Sequence, residues 1–324
     1  MTDTILDIKG VSVEYSTMRR RVNAVRNVSL MLEKGSTLGL VGESGCGKST
    51  LGFSILRLVP PPGRIVAGEI NFAGTNLLYE SDEQMRRIRG AEISMIFQDP
   101  MTSLNPVKRI RDHFIELYKM HDASASKEDA ISRAKKLLDS LGIASERIND
   151  YPHQFSGGMR QRVMIGLGLA LNPKLVIADE PTTALDVIVE AQILDLLKLL
   201  KDEHQLTMIL ITHNIGIVAE MTDTIGIMYA GQIVELGSTA RIFEDPLHPY
   251  TKGLLESAPN IEHPERSMRP VAGSPPDLAS LPSGCKFHPR CPRGFEPCPL
   301  REPALMNQNG RLVACHLYDQ EKAS

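Results

Sequence analysis

The sequence predicts an α/β fold built on a parallel sheet, and three observations lead there. Short continuous apolar runs, "STLGLVG", "EISMIF", "LVIAD" and "TMILIT", fit strands covered on both faces, with helical stretches between them. Residues 108 to 171 carry helical periodicity and no convincing strand, which reads as a helical subdomain inserted into that core. After about residue 256 prolines become dense and four of the five cysteines follow, which reads as a separate loop-rich module. A chain of 324 residues suffices for two domains, expected at 1–256 and 257–324.

Taken in order, "ILDIKGVSVEYS" places Leu6, Ile8, Val11, Val13 and Tyr15 at alternating positions, and "AVRNVSLML" does the same with Val28, Leu30 and Leu32. Both patterns predict half-buried strands. In "SKEDAISRAKKLLDSLG", Ser126 and Asp129 form a capping-box-like pair, with Asp in place of the usual Glu or Gln. Ala130, Ala134, Leu137, Leu138 and Leu141 supply the apolar face of this helix, and Gly142 ends it. No internal repeats occur.

Composition is that of an ordinary globular protein, 42% hydrophobic and 23% charged. The net charge of −3 argues against a dominant nucleic-acid surface, so no nucleic-acid partner is expected. Arg19, Arg20 and Arg21 read as a solvated loop, with contact to a partner or a lipid headgroup as the alternative. No apolar run approaches the roughly 20 residues that a spanning helix needs. The start "MTDTILDIKG" has neither a basic stretch nor an apolar core, so it is not a secretory signal. A cytoplasmic protein is expected, docked at any membrane through a partner.

"GESGCGKST" matches G-x-x-x-x-G-K-S/T and comprises Gly42, Glu43, Ser44, Gly45, Cys46, Gly47, Lys48, Ser49 and Thr50. The glycines let backbone N–H groups turn inward around phosphate oxygens. Lys48 supplies a point charge to the β- and γ-phosphates, and the Ser49 hydroxyl can ligate Mg²⁺. The helix that starts near Lys48 aims its positive end at the same anion. At Cys46 mainly the backbone should matter.

The run "LVIADE" ends in two acids. A short buried strand would carry Asp179 to the C-terminal edge of the sheet, where α/β proteins bind ligands. Asp179 would hold Mg²⁺ through water, and Glu180 would orient or deprotonate an attacking water. "QFSGGMRQR" places a second phosphate-shaped loop at a helix start. Ser156 can cap that helix, and Gly157 and Gly158 let N–H groups approach an anion, ahead of Met159. A Ser-Gly-Gly helix start is ordinarily only a capped turn.

"GESGCGKST", Gln98, "FSGGM", "LVIADE", "TTALD" and "ITH" occur in the order seen in ATP-binding cassette ATPases, and the chain resembles that family over roughly residues 5 to 256. The resemblance implies a P-loop NTPase cassette, a RecA-like core with an antiparallel β subdomain and an inserted helical subdomain of about 108–171, that uses ATP and Mg²⁺. In that family two ATPase domains face each other head to tail, and the signature loop of one closes over the nucleotide held by the other. By that match "FSGGM" is half of a site completed by a second subunit, identical or homologous. Gln98 would reach Mg²⁺ and the water, Asp186 would cross the dimer interface, and His213 would contact the γ-phosphate. Tyr15 would stack on adenine, with a plain core tyrosine as the rival reading. "DPMTSLNP" would touch a transmembrane partner. Phe155 stands where the family has Leu, and Met159 where it has Gln, a position that cannot hydrogen-bond as Gln would.

Cys285, Cys291, Cys298 and Cys315 give C-x₅-C-x₆-C-x₁₆-C. A cytoplasmic chain rarely keeps disulfides, so metal binding comes first. Structural zinc normally shows a short C-x₂₋₄-C knuckle, and none is present. The Cys291-Pro292 and Cys298-Pro299 steps favour a 4Fe-4S cluster, with zinc and unliganded or disulfide-paired cysteines as alternatives. His288 and His316 are spare candidate ligands, with surface residues as the plainer reading. "HPYT" followed by a cysteine-bearing, proline-rich tail resembles the C-terminal extension of oligopeptide and dipeptide importer ATPases, an extension that nickel-type importers share. That resemblance implies two transmembrane permease subunits and, indirectly, a peptide-binding protein, with the chain at the cytoplasmic face of the membrane. The alternatives are an ATPase for a nickel or metal-chelate importer and a soluble ATPase acting in translation or repair. A third is a metal-bound docking or sensing module with a secondary ATPase.

Overall fold

The computed structural model describes residues 3–17, 20–98, 103–183, 185–257 and 271–319, without the side chain of His204. Arg19, residues 99–102 of "DPMTSLNP", Ala184 of "TTALD", and Pro259, Pro264 and Pro270 lie outside the described residues. In chain order the strands are β1 (Thr4–Ser16), β2 (Arg21–Glu33), β3 (Thr37–Val41), β4 (Gly63–Phe72), β5 (Thr75–Asn76) and β6 (Ile93–Ile96). They continue with β7 (Leu175–Asp179), β8 (Thr207–Thr212), β9 (Thr224–Tyr229), β10 (Gln232–Ser238), β11 (Met306–Gln308) and β12 (Arg311–Val313). The chain divides into two compact units, Met1–Tyr79 with Leu210–Ser324, and Glu80–Ile209.

In the first unit β1 lies between β2 and β4 in an antiparallel sheet of order β2-β1-β4-β5. Leu6, Ile8, Val11 and Val13 face Leu32, Leu30, Val28 and Val25, and all eight are buried. Register shifts between Ile8 and Val13 interrupt strict alternation. A second set of strands runs in the order β11-β12-β10-β9-β3. β3 and β9 are parallel, whereas β9, β10, β12 and β11 meander antiparallel. The core around them contains Val41, Ile227, Tyr229 and Tyr250, and also Phe287 from the cysteine-bearing tail. Residues 271–319 therefore share a core and a strand pairing, Glu235 with Val313, with the first unit.

The second unit contains the expected helices and, between 108 and 171, no strand among the described residues. Helices Ile110–His121, Lys127–Ser140 and Gly157–Leu169 pack Phe114, Ala130, Ala134, Leu138 and Val163 into one core. Ser126 accepts the Asp129 N–H at 3.0 Å, which caps the middle helix. Gly142, at φ +71°, ends it. β6 and β7 run parallel, and every residue of both is buried. β8 carries the chain back to the first unit. Among the described residues no helix is long and apolar enough to cross a membrane.

Candidate functional site

In the first unit, β3 is buried throughout and delivers the chain into the loop Gly42–Gly47, which opens the helix Lys48–Ile55. Gly47 has φ +108°, and a Cβ there would lie 2.2 Å from the Ala24 carbonyl oxygen. A Cβ on Gly42 would meet the Met228 carbonyl oxygen at 2.2 Å. Only glycine fits at either position. Lys48 is buried, and its ammonium donates to the carbonyl oxygens of Gly42 at 2.8 Å and Glu43 at 3.2 Å. A buried cation whose other contacts, two carbonyls and the Cys46 sulfur at 3.8 Å, are all neutral suits an anion at the start of a helix. Ser49 and Thr50 are half-buried, and Ser44 is exposed. Burial pushes the Cys46 thiol pKa up, and the Cys46 carbonyl accepts the Gly231 N–H at 2.9 Å.

Glu43 has two partners that motif reading missed. Its backbone N–H donates to the Tyr250 hydroxyl at 3.0 Å. Its carboxylate accepts a forked pair from Arg290, at 2.7 and 2.9 Å. His213 is exposed, directly after β8. Tyr15 is half-buried beside Gly63, where an added Cβ would lie 2.5 Å from its Cε1.

In the second unit, β7 ends at the buried Asp179. Glu180 follows in the left-handed region, at φ +46°. A non-glycine residue is strained there, and strain of this kind clusters at functional sites. Its carboxylate accepts from Gln98 Nε2 at 2.7 Å and from the Thr183 hydroxyl at 2.9 Å. Thr183 is the third member of this group; it lies within "TTALD", a motif read above only for Asp186.

Ser156 caps the helix Gly157–Leu169 by accepting the Met159 N–H at 3.4 Å. Phe155 is buried under the Arg147 guanidinium, 4.4 Å from its ring centre. Met159 lies against the helical core, and its sulfur accepts from Arg147 at 3.2 Å. Gly158 faces Val189, whose Cγ1 would lie 2.4 Å from an added Cβ, and Gly157 faces Leu185. Asp186 caps the helix Val187–His204 by accepting the Val189 N–H at 3.0 Å.

Cys285, Cys291, Cys298 and Cys315 line one small cavity with Phe287 and Phe295, and none of them is in a disulfide. Burial, reinforced by the neighbouring thiols, pushes Cys285 and Cys291 up, and Cys315 to about 11. His316 lines the same cavity but is no spare ligand. One ring nitrogen is 2.8 Å from Asp319 and the other is 2.7 Å from the Arg301 carbonyl. The expectation for His316 is corrected on that ground. His288 places Nδ1 2.8 Å from the Cys285 carbonyl. Among the described residues no three His, Cys, Asp or Glu side chains are placed to hold a metal ion, so neither zinc nor the 4Fe-4S cluster is shown.

Residues 25–183 match the family model described as ABC transporter, and residues 234–298 match that of the oligopeptide/dipeptide transporter C-terminal region. The chain is 49% identical over 287 residues to the oligopeptide transport ATP-binding protein OppD of Bacillus subtilis, covering 87% of this chain and 80% of that protein. It is 45% identical to the dipeptide transport ATP-binding protein DppD of the same organism, covering 98% and 96%. Among solved structures it is similar to the dimeric, post-hydrolysis ATP-binding cassette MJ0796 bound to ADP and Pi. That match has a TM-score of 0.65 at 28% identity and covers 72% of this chain and 99% of that one.

Proposed function

The chain belongs to the ABC transporter ATP-binding family, in its oligopeptide/dipeptide branch, and from that premise we propose residue roles for its reaction. It is an ATPase that powers import of di- and oligopeptides through a membrane permease, working peripherally at the cytoplasmic face. The observation that carries the chemistry is Lys48, buried with two carbonyl partners under a loop that tolerates no Cβ at Gly42 or Gly47.

In this reading the loop amides and Lys48 hold the β- and γ-phosphates, and Tyr15 stacks on the adenine. Ser49, Gln98 and, through water, Asp179 hold Mg²⁺, which when bound neutralises charge on the phosphates. Glu180 takes a proton from the water that attacks the γ-phosphorus, and ADP leaves. Gln98 and Thr183 hold that carboxylate in place. His213 contacts the γ-phosphate. Ser156, Gly157, Gly158 and the Met159 amide close over the nucleotide of a second ATPase subunit, and Asp186 crosses to it. Both subunits serve two permease subunits and, behind them, a peptide-binding protein.

The cysteine-bearing extension from residue 257 holds a 4Fe-4S cluster in this proposal. Four thiols converge on a cavity walled by Phe287 and Phe295, and both nitrogens of His316 are engaged elsewhere. The Cys291-Pro292 and Cys298-Pro299 steps favour that cluster over a single zinc ion.

Reconstitution with the permease and the binding protein tests the function. ATP-dependent uptake of a labelled di- or oligopeptide is the expected result; uptake of a metal chelate without peptide uptake would reassign the solute. Co-purification with nucleic acid in place of two membrane subunits would reject the transport reading.

A further inference from the structure

We propose that Arg290, just before Cys291, is a positioning residue for the phosphate loop and acts through Glu43. The proposal rests on the ATPase reading and adds a residue outside the cassette motifs to its site.

Glu43 is a junction. Its carbonyl accepts from Lys48 at 3.2 Å, its N–H donates to Tyr250 at 3.0 Å, and its carboxylate takes both Nη atoms of Arg290. One residue thus ties the loop's cation to two side chains of the C-terminal region. Both are themselves held firmly. The Arg290 side chain is 6% exposed, and its Nε donates to the Ala272 carbonyl at 2.7 Å. Its Nη atoms also reach the Tyr229 hydroxyl and the Val271 and Gly273 carbonyls, each at 3.3 Å. Tyr250 is fully buried, with its ring 4.6 Å from that of Tyr229 and 5.4 Å from that of Phe287.

A forked ion pair this enclosed is weak evidence for stability, because desolvation offsets much of the attraction. What it supplies is direction, since the planar fork fits a carboxylate in one orientation. The loop needs that. A Cβ on Gly45, at φ +77°, would meet nothing within 4 Å, so no neighbour packs against that side of the loop tip. Holding Glu43 orders the loop before nucleotide arrives and removes that entropic cost from binding. Loosening the clamp therefore weakens ATP binding far more than bond cleavage at saturation.

The test uses the full chain, with fluorescent ATP-analogue binding, and the reconstituted transporter, with ATPase KM and kcat. Arg290→Met is expected to weaken nucleotide binding and raise KM about tenfold, the usual size of coupling between interacting sites, with little change in kcat. Arg290→Lys should recover part of that. The double variant Arg290→Met, Glu43→Gln should bind no more weakly than the poorer single variant. Unchanged affinity in Arg290→Met, or losses that simply add, would overturn the proposal. If Arg290→Met fails to fold, Tyr250→Phe decides: it removes only the hydroxyl that accepts the Glu43 N–H, and unchanged affinity there also overturns it. Wild-type chain that binds no ATP would instead reject the underlying ATPase reading.

Discussion

Gln98 Nε2 donates to Glu180 Oε2 across 2.7 Å, joining side chains carried just beyond the ends of the parallel strands β6 and β7. The carboxylate proposed to accept a proton is thereby held in place by a side-chain amide. Glu180→Gln keeps the shape and loses the base. It is expected to bind ATP normally and to lose turnover by about 10²–10⁴-fold, the usual worth of a general base. ATPase assays at saturating ATP, with equilibrium binding measured in parallel, check this; near-normal turnover refutes the role.

Thr183→Val removes the second donor to the same carboxylate, a hydroxyl at 2.9 Å. A hydrogen bond to a charged group is worth about 1.5–3 kcal/mol, so kcat should fall at least tenfold or so with ATP affinity unchanged. Steady-state kinetics separates the two: a rise in KM alone would place Thr183 in binding.

Gly47→Ala confronts the backbone directly. The new Cβ would sit 2.2 Å from the Ala24 carbonyl oxygen at φ +108°. No rotamer change relieves a clash with main chain, and the conformation alone costs about 1–3 kcal/mol. Loss of ATP binding and a lower melting temperature are expected. Gly45→Ala meets open space and should show only the conformational penalty. Equal melting temperatures for the two variants would contradict this.

The phosphate loop, the acid pair and the capped glycine turn were legible because each is contiguous and each demands particular residue types. β3, β6, β7 and β8 were legible because a strand buried on both faces is an unbroken apolar run. The hairpin between β9 and β10 was not. It turns through Ala230 at φ +49° and Gly231 at φ +82°, and alanine is a poor signal for a turn that usually announces itself as Asn-Gly. Asn309 and Gly310, between β11 and β12, do carry that signal, but the proline- and cysteine-rich composition around them reads as irregular loop. Arg290 escaped for another reason: its partner Glu43 is 247 residues away, and no spacing rule reaches that far.

Iron and sulfide analysis of anaerobically purified chain tests the proposed cluster. Equal amounts of iron and sulfide are expected, and Cys298→Ser, at the least exposed of the four residues, should lose both. Colourless, iron-free protein that contains zinc would reverse the assignment.

Ending the chain at residue 257 removes β12 from the edge of β10 and takes Phe287 out of the core shared with Tyr229 and Tyr250. Truncating a buried Phe typically costs about 3–5 kcal/mol, and here the strand goes too. The shortened chain is expected to aggregate or to melt well below the full chain in calorimetry. Unaltered melting would show that the tail is dispensable to the cassette.

The distance between Glu43 and Arg290 also bears on how the protein is made. A ribosome releases the phosphate loop early and the guanidinium that grips it 247 residues later. Throughout that interval the nascent polypeptide owns a nucleotide loop with no clamp. If Arg290 orders the loop as proposed, full grip on ATP waits for that residue, and products that stop short of it are poor competitors for the cell's nucleotide.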